Sequence, residues 1–123
     1  MKVVLDSNFV LVPVQFKVDV FEEIPRLVDE KIEYVVLSPC LDEIRAFRSK
    51  ERRAAGAVMA LLSKKGFETV KASGKPDDAI VEYASKLGGG AVVCTNDGEL
   101  RARLKGKKVK TIFLRKKSHL SMG

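Results

Sequence analysis

The residues best suited to chemistry in this 123-residue chain are a set of dispersed carboxylates. Asp6 directly follows an apolar run that is typical of a buried β-strand, and Asp97 comes shortly after another such run, which ends at Thr95. Glu43 and the pair Asp77 and Asp78 fall in the first turns of predicted helices. In a parallel α/β sheet, residues just past the strand ends and in the first helical turns gather along one edge. We therefore expect Asp6, Glu43, Asp97 and one of the two adjacent aspartates to converge.

Crowded carboxylates repel one another and stay ionised together only when cations lie between them. Oxygen ligands of this kind suit Mg²⁺ or Mn²⁺, each of which needs only one or two carboxylates. Such ions activate water and neutralise charge on a phosphate group under attack. The pattern therefore predicts metal-assisted hydrolysis of a phosphodiester.

A structural interpretation accounts for some of the same acids. Aspartate in the first turn of a helix is favoured by capping and by the helix dipole, whatever the function. Asp77, Asp78 and Asp97 can each be read as a helix cap. Asp6 is harder to explain in that way, because it stands directly after a buried strand.

The elements that must position these acids alternate along the chain. Short apolar, β-branched runs predict strands near residues 2–5, 34–37, 67–71, 91–95 and 109–114, whereas helical spacing of apolar residues predicts helices near 18–30, 38–47, 53–65, 77–87 and from 96 onwards. This alternation is typical of an α/β fold with a mainly parallel sheet. We expect a single domain over residues 1–114 and a basic, flexible tail over residues 115–123.

Composition excludes several other kinds of site. Two cysteines and one histidine cannot supply the three or four ligands of a Cys/His zinc site. Cys40 and Cys94 lie in apolar surroundings and are expected to be buried thiols in a reducing compartment, the cytoplasm. His119 lies too close to the end of the chain to support a catalytic triad. No apolar run is long enough to span a membrane, so we expect no membrane partner.

The net charge of +7 is unevenly distributed. Residues 1–44 hold 4 basic and 9 acidic side chains, whereas residues 45–123 hold 19 basic and 7 acidic ones. Clustered cations are typical of binding to a polyanion, although a solvated surface gives the same pattern. The arginines that follow the candidate acids are the residues expected to contact such a polyanion: Arg45, Arg48, Arg52, Arg53, Arg101 and Arg103.

Four motifs resemble those of the PIN-domain ribonucleases. They are V-V-L-D-S-N at 3–8, the helical Glu43, P-D-D-A-I at 76–80 and C-T-N-D-G-E-L at 94–100. The resemblance covers nearly the whole chain and is to a minimal, archaeal-type member. It implies a three-layer α/β fold with a central, mainly parallel sheet of about five strands flanked by helices. It also implies Mg²⁺- or Mn²⁺-dependent endonucleolytic cutting of single-stranded or structured RNA, which leaves 5′-phosphate and 3′-hydroxyl ends.

The resemblance also assigns roles by position. Asp77 is preferred over Asp78 as the third acid, because Ile80, Ala84 and Gly88 follow it at the family's spacing. The metal and catalytic acids implied are Asp6, Glu43, Asp77 and Asp97, with Asp78 as the other candidate metal ligand, and the supporting polar residues are Asn8, Thr95 and Asn96.

Two branches of the family compete for the biological role. The stretch at 95–104, followed by V-K-T-I-F-L, looks closer to the branch that matures ribosomal RNA precursors. VapC-type toxins, which cut tRNA or rRNA and are held by an antitoxin, form the other branch. The expected partner protein is accordingly a ribosome-assembly factor or an antitoxin. A non-catalytic scaffold that binds RNA through its basic surface is a further alternative.

The apolar stretch that follows Asp6 has two possible uses. It includes Phe9, Leu11, Val12, Val14 and Phe16. Such a run either packs into the core or forms the interface of a homodimer.

Overall fold

The computed structural model describes residues 1–123. Its strands are β1 (Lys2–Leu5), β2 (Glu33–Leu37), β3 (Phe67–Val70), β4 (Ala91–Cys94), β5 (Lys110–Arg115) and β6 (His119–Met122). Its helices are α1 (Val12–Gln15), α2 (Val20–Leu27), α3 (Ser38–Ala46), α4 (Ser49–Lys65), α5 (Pro76–Leu87) and α6 (Gly98–Gly106), with 3₁₀ turns at Ser7–Leu11 and Gly88–Gly90.

The six strands form one sheet in the order β3-β2-β1-β4-β5-β6. The first five are parallel, and only β6 runs antiparallel to its neighbour. The strand order reverses between β1 and β4, which is where open parallel sheets bind their ligands. The predicted α/β fold with a central, mainly parallel sheet is confirmed, with six strands instead of about five.

The central strands form because they are short, β-branched and apolar throughout. Val3, Val4, Val35, Val36 and Val93 are fully buried, as expected for strands that are covered on both faces. The helices pack against this sheet with their apolar residues, and together they give one hydrophobic core. The rigid core fixes where each strand ends, and therefore where the residues after each strand lie.

The end of the chain differs from the sequence prediction. Residues 115–123, expected to be a flexible tail, instead form a tight turn and β6. Strand β6 pairs with β5 from Ile112–Met122 to Arg115–His119, and the backbone of Gly123 exchanges two hydrogen bonds with that of Thr111 at 2.9 Å. Only Leu120 of this strand is buried. The sequence does not predict this strand, because a single buried residue among polar ones does not produce the alternation of apolar and polar residues that indicates a strand.

The apolar stretch after Asp6 packs mainly into the core. Phe9, Leu11 and Val12 are buried in the 3₁₀ turn and in α1, whereas Val14 is 47% exposed. The homodimer therefore stays a prediction. None of the helices combines the length and the apolar character that crossing a membrane requires.

Candidate active site

The strand order places the candidate acids along one edge of the sheet. Asp6 lies directly after β1, on one side of the reversal, and Thr95 directly follows β4 on the other side. Asp97 is the N-cap of α6, the helix that continues from β4. Glu43 lies in α3, which follows β2, and Asp77 lies in the first turn of α5.

Asp6 is the buried centre of this edge. Its side chain is only 4% exposed. The hydroxyl of Thr95 donates a hydrogen bond to Asp6 Oδ2 at 2.7 Å, and the backbone N–H of Ser7 donates to Oδ1 at 2.8 Å. The backbone N–H of Asp6 donates to the carbonyl of Cys94 at 3.0 Å, which ties the ends of β1 and β4 together. The orientation of this carboxylate is therefore fixed by the sheet itself.

Thr95 links Asp6 to Asp97. Its Oγ1 accepts a hydrogen bond from the backbone N–H of Asp97 at 3.1 Å while it donates to Asp6. One oxygen of Asp97, Oδ1, accepts from the backbone N–H groups of Glu99 and Leu100 at 2.9 and 3.1 Å. Asp97 is thus the helix cap that its position suggested, and its other oxygen, Oδ2, accepts no hydrogen bond from the chain. A cap and a ligand are compatible in this one carboxylate.

Ser7 is a site residue that the sequence reasoning missed. Its side chain is buried, and its hydroxyl donates a hydrogen bond to Glu43 Oε1, which joins the end of β1 to α3. Asn8, the expected supporting residue, is instead exposed, and its side chain makes no hydrogen bond within the chain. The 3₁₀ turn that begins at Ser7 orients these two neighbours differently, and so short a turn has no periodicity to read.

The side chain of Asn96 supports the neighbouring strand and forms no hydrogen bond with the acids. Its Oδ1 accepts a hydrogen bond from the backbone N–H of Leu114 at 2.7 Å, which attaches the loop between β4 and α6 to β5. The loop that carries Asp97 is thereby anchored on both sides.

The charges of the acids act on one another across this edge. Burial raises the pKa of Asp6, and the charges of Asp77 and Glu43 raise it further, against the hydrogen bond from Thr95. Burial also raises the pKa of Asp77, and the charges of Asp97 and Glu43 add to that effect. The four acids therefore form one electrostatic group, although they come from four separate segments of the chain.

The adjacent aspartates of α5 have different surroundings. Asp78 forms an ion pair with Arg103, in which Asp78 Oδ1 lies 2.9 Å from Nη2 of the guanidinium. Asp77 makes no ion pair, and its pKa responds to the other acids of the edge. Both side chains line an open pocket with Glu43, Lys75 and Arg103. In this arrangement Asp77 is available to a ligand, and Asp78 is already partnered.

The six arginines expected to bind RNA fall into two groups. The members of the first lie near the end of α3 and in the first turns of α4, are exposed and make no ion pair: Arg45, Arg48, Arg52 and Arg53. Those of α6 are engaged. The guanidinium of Arg101 stacks on the ring of Phe113 at 3.5 Å, and its Nε is buried without a hydrogen-bond partner. Arg103 forms the ion pair with Asp78.

The two cysteines offer no alternative chemistry. Both are free and buried. Burial raises the pKa of the Cys40 thiol to about 12, with the charges of Asp6 and Glu43 adding to it. Burial also raises the pKa of Cys94. Since the thiolate is the nucleophile and the metal ligand, neither residue is suited to either role near neutral pH.

The donor set of this edge fits a hard divalent cation. It consists of carboxylate oxygens that repel one another. Mg²⁺ and Mn²⁺ prefer such ligands. In this structure, no three of these side chains lie close enough together to hold one metal ion. Two cations line the same pocket as Glu43 and Asp77: Lys75, and Arg103, which pairs with Asp78 and lowers the pKa of Asp77.

Comparison with known proteins gives consistent results. The family model described as "PIN like domain" matches residues 3–117. The chain is 30% identical over 128 residues to Ribonuclease VapC4 of Methanocaldococcus jannaschii, an alignment that covers 98% of this chain and 95% of that protein. Its fold is similar to that of the PIN domain endonuclease Utp24, with a TM-score of 0.80 and 21% identity, over 98% of this chain and 90% of the other.

Proposed function

The chain belongs to the PIN-like domain family, and on that premise we propose that it is a divalent-metal-dependent endoribonuclease. The observation that carries the proposal is the single electrostatic group formed by Asp6, Glu43, Asp77 and Asp97 at the point where the strand order reverses. The similarity to a protein named as a ribonuclease supports RNA as the substrate.

In this proposal each acid of the edge is a metal ligand. Asp6, Glu43, Asp77 and Asp97 hold one or two Mg²⁺ or Mn²⁺ ions. When bound, such ions activate water and neutralise charge on the scissile phosphate. Thr95 holds the carboxylate of Asp6 in one orientation, and Ser7 does the same for Glu43. Ligands that are fixed by hydrogen bonds of this kind bind more tightly, because less freedom is lost on binding.

The basic helices supply the binding surface for RNA. Arg45 belongs to α3, the helix that carries Glu43, and Arg48, Arg52 and Arg53 follow it at the start of α4. These exposed, unpaired guanidiniums can each contact a phosphate group. The chain has no tryptophan and an aromatic content of 7%, so base stacking contributes little to sequence recognition. Specificity then depends on the shape of the RNA or on a partner protein.

Two roles are compatible with this activity. The sequence motifs favour maturation of ribosomal RNA precursors, in which a ribosome-assembly factor is the partner. The 30% identity to a protein named Ribonuclease VapC4 favours a toxin-type ribonuclease with an antitoxin partner. The two roles differ in substrate, and cleavage of a precursor rRNA transcript against a set of tRNAs distinguishes them.

The activity itself is tested by incubating the purified protein with a labelled structured RNA, with Mn²⁺ or with EDTA. We expect cleavage only with Mn²⁺, and its loss in the double variant Asp6→Asn/Asp97→Asn. Asparagine caps a helix as well as aspartate does, so the fold around Asp97 is preserved. The matched control is Asp29→Asn/Asp42→Asn, which removes two exposed acids outside the group and should cleave like the wild type. RNA binding without cleavage in any metal would favour the scaffold alternative.

A further inference from the structure

The turn between β5 and β6 lies at the same edge of the sheet as the acids. Strand β5 is parallel to β4 and pairs with it from Val92–Lys110 to Cys94–Ile112. It then continues for three residues beyond that last pair, to Arg115. At about 3.3 Å per residue, the turn projects roughly 10 Å past the end of β4. The hairpin therefore rises beside the loop that carries Asp97.

The tip of this hairpin is built from consecutive cations. Arg115, Lys116 and Lys117 are exposed, and none of them forms an ion pair. Glu22 and Glu23 of α2 line a pocket with His119 and Leu120 of the hairpin, and both have other partners. Glu23 accepts a hydrogen bond from the backbone N–H of Leu120 at 2.8 Å, and Glu22 pairs with Arg26 at 2.6 Å. The charge of the tip is thus not neutralised within the chain.

The backbone of the turn is unusual for the residues that form it. The N–H of Ser118 donates to the carbonyl of Arg115 at 3.2 Å, and the two central residues, Lys116 and Lys117, have φ of 53° and 55°. Two positive φ values define a type I′ turn, in which Asn-Gly is strongly preferred. Residues with a Cβ seldom adopt this conformation. The chain therefore carries two lysines where the local geometry favours residues such as asparagine and glycine, which adopt positive φ readily.

The base of the hairpin is held rigidly against the site. The side chain of Asn96 binds the backbone N–H of Leu114 at 2.7 Å, next to Asp97 in sequence. The guanidinium of Arg101, from α6, stacks on Phe113 at 3.5 Å, and that of Arg115 lies 5.6 Å from the same ring. The backbone that carries the tip is thus anchored to the loop that precedes Asp97.

From these observations we propose that the hairpin tip, Arg115–Lys117, is a second phosphate-binding surface that holds the RNA strand on the β5 side of the acids. This inference rests on the proposed function, because it assigns a place to the same substrate. The arginines of α3 and α4 lie in the segment after β2, on the other side of the strand reversal. An RNA strand held at both places passes over the carboxylates between them.

The structure offers a substitution that separates charge from fold. The variant Lys116→Asn/Lys117→Gly installs the preferred type I′ pair and removes two charges. Its melting temperature should be no lower than that of the wild type. The matched control is Lys107→Asn/Lys108→Gly, in the turn between α6 and β5 at the opposite edge of the sheet. Lys108 also has a positive φ, of 61°, so glycine suits that position.

Binding is measured by fluorescence anisotropy of a labelled single-stranded oligoribonucleotide in EDTA, over a range of salt concentrations. Loss of two phosphate contacts should weaken binding about tenfold at roughly 50 mM salt and reduce the slope of log K against log salt by about 1.4. The control variant should bind within about twofold of the wild type, because its lysines lie more than a Debye length from the site. The proposal is overturned if the tip variant retains the wild-type slope, or if both variants lose affinity equally.

Cleavage of the same RNA in Mn²⁺ is measured alongside, which separates this proposal from the function on which it rests. Cleavage by the wild type, with unchanged binding by the tip variant, would overturn the role of the hairpin and leave the nuclease in place. Binding that depends on the tip, in a protein that never cleaves, would support the hairpin as an RNA-binding surface and contradict the nuclease.

Discussion

At the end of the sheet where the parallel strands begin, Lys2 pairs with both Glu33 and Glu68, at 2.7 and 3.3 Å. At the end where those strands stop, Asp6 and Asp77 have no such partner, and burial and neighbouring charges raise the pKa of both. The hydrogen bond from Lys2 instead lowers the pKa of Glu33. One end of the sheet neutralises its carboxylates within the chain, whereas the other leaves them to repel.

This difference indicates which end is built for a ligand. Acids without a nearby positive charge reduce the stability of the folded protein. A group of them at a strand reversal is therefore suited to binding a cation as a ligand. The comparison yields five predictions, in which each substitution changes one end of the sheet and leaves the other intact.

The largest effect should come from the two adjacent aspartates of α5. Asp77→Asn should lower the cleavage rate at least about a hundredfold, because it removes one of the proposed metal ligands. Asp78→Asn should change the rate less than about threefold, because that residue contacts Arg103 at the surface. Single-turnover cleavage assays with both variants provide the measurement. Equal losses in the two variants would contradict the distinction between them.

Next in size is the effect of the hydroxyl that holds Asp6. Thr95→Val keeps the shape of the side chain but leaves Oδ2 of the buried Asp6 carboxylate without a donor, which should cost about 1–3 kcal/mol of unfolding free energy. Activity should fall about tenfold or more, because the ligand is no longer oriented. Thr95→Ser retains the hydroxyl and should recover most of the activity. Urea unfolding and cleavage assays test the two effects separately, and a fully active Thr95→Val protein would refute the positioning role.

A smaller effect concerns pH. Because the pKa of Asp77 is raised in the folded state, the metal-free folded protein binds more protons than the unfolded chain in the range between the two pKa values. The contribution of Asp77 to the free energy of unfolding therefore becomes more favourable as pH falls from neutral towards about 4, the ordinary pKa of aspartate. Compared with Asp77→Asn, the wild type should gain less than about 1 kcal/mol over that range, since solvent screens this partly exposed group.

Glu33 should show the opposite sign. Its pKa is lowered in the folded state, so its contribution to stability is present above the unfolded value and is lost as pH falls through the folded one. Urea midpoints of the wild type, Asp77→Asn and Glu33→Gln at several pH values, all in EDTA, measure both trends. If the urea midpoints of Asp77→Asn and Glu33→Gln changed with pH in the same way, the electrostatic difference between the two ends of the sheet would be contradicted.

The smallest effect is expected at the paired end. Lys2→Met breaks both of its ion pairs, but these groups are solvated, so the stability should change little. Cleavage should be unchanged, because the acids lie at the other end of the sheet. A marked loss of cleavage in Lys2→Met would show that the two ends are coupled through the strands.

The parts of the fold that followed from sequence are those with strong patterns. The β-branched runs of β1, β2 and β4 and the apolar spacing of α5 predicted their elements within a residue or two. The placement of the acids at one edge followed from the same alternation, because parallel strands end together. Strand β6 forms because it pairs with β5, and its own sequence has no strand pattern, so the prediction of a flexible tail for residues 115–123 was wrong.

The supporting residues of the site were less predictable than the acids. Thr95 was expected beside Asp97 and does contact both Asp6 and Asp97. The supporting hydrogen bond comes from Ser7 and not from Asn8, the expected residue, because the 3₁₀ turn that begins at Ser7 determines which of the two neighbours faces inwards. Asn96 binds the backbone of β5, a contact between segments 18 residues apart that no local motif signals.

The central claim is that the acids at the strand reversal bind a divalent cation. Isothermal titration of the metal-free protein with Mn²⁺ tests it directly, without RNA. We expect saturable binding by the wild type and by Glu33→Gln, and at least about tenfold weaker binding by Asp6→Asn. Absence of Mn²⁺ binding by the wild type, or equal affinity in Asp6→Asn, would contradict the claim.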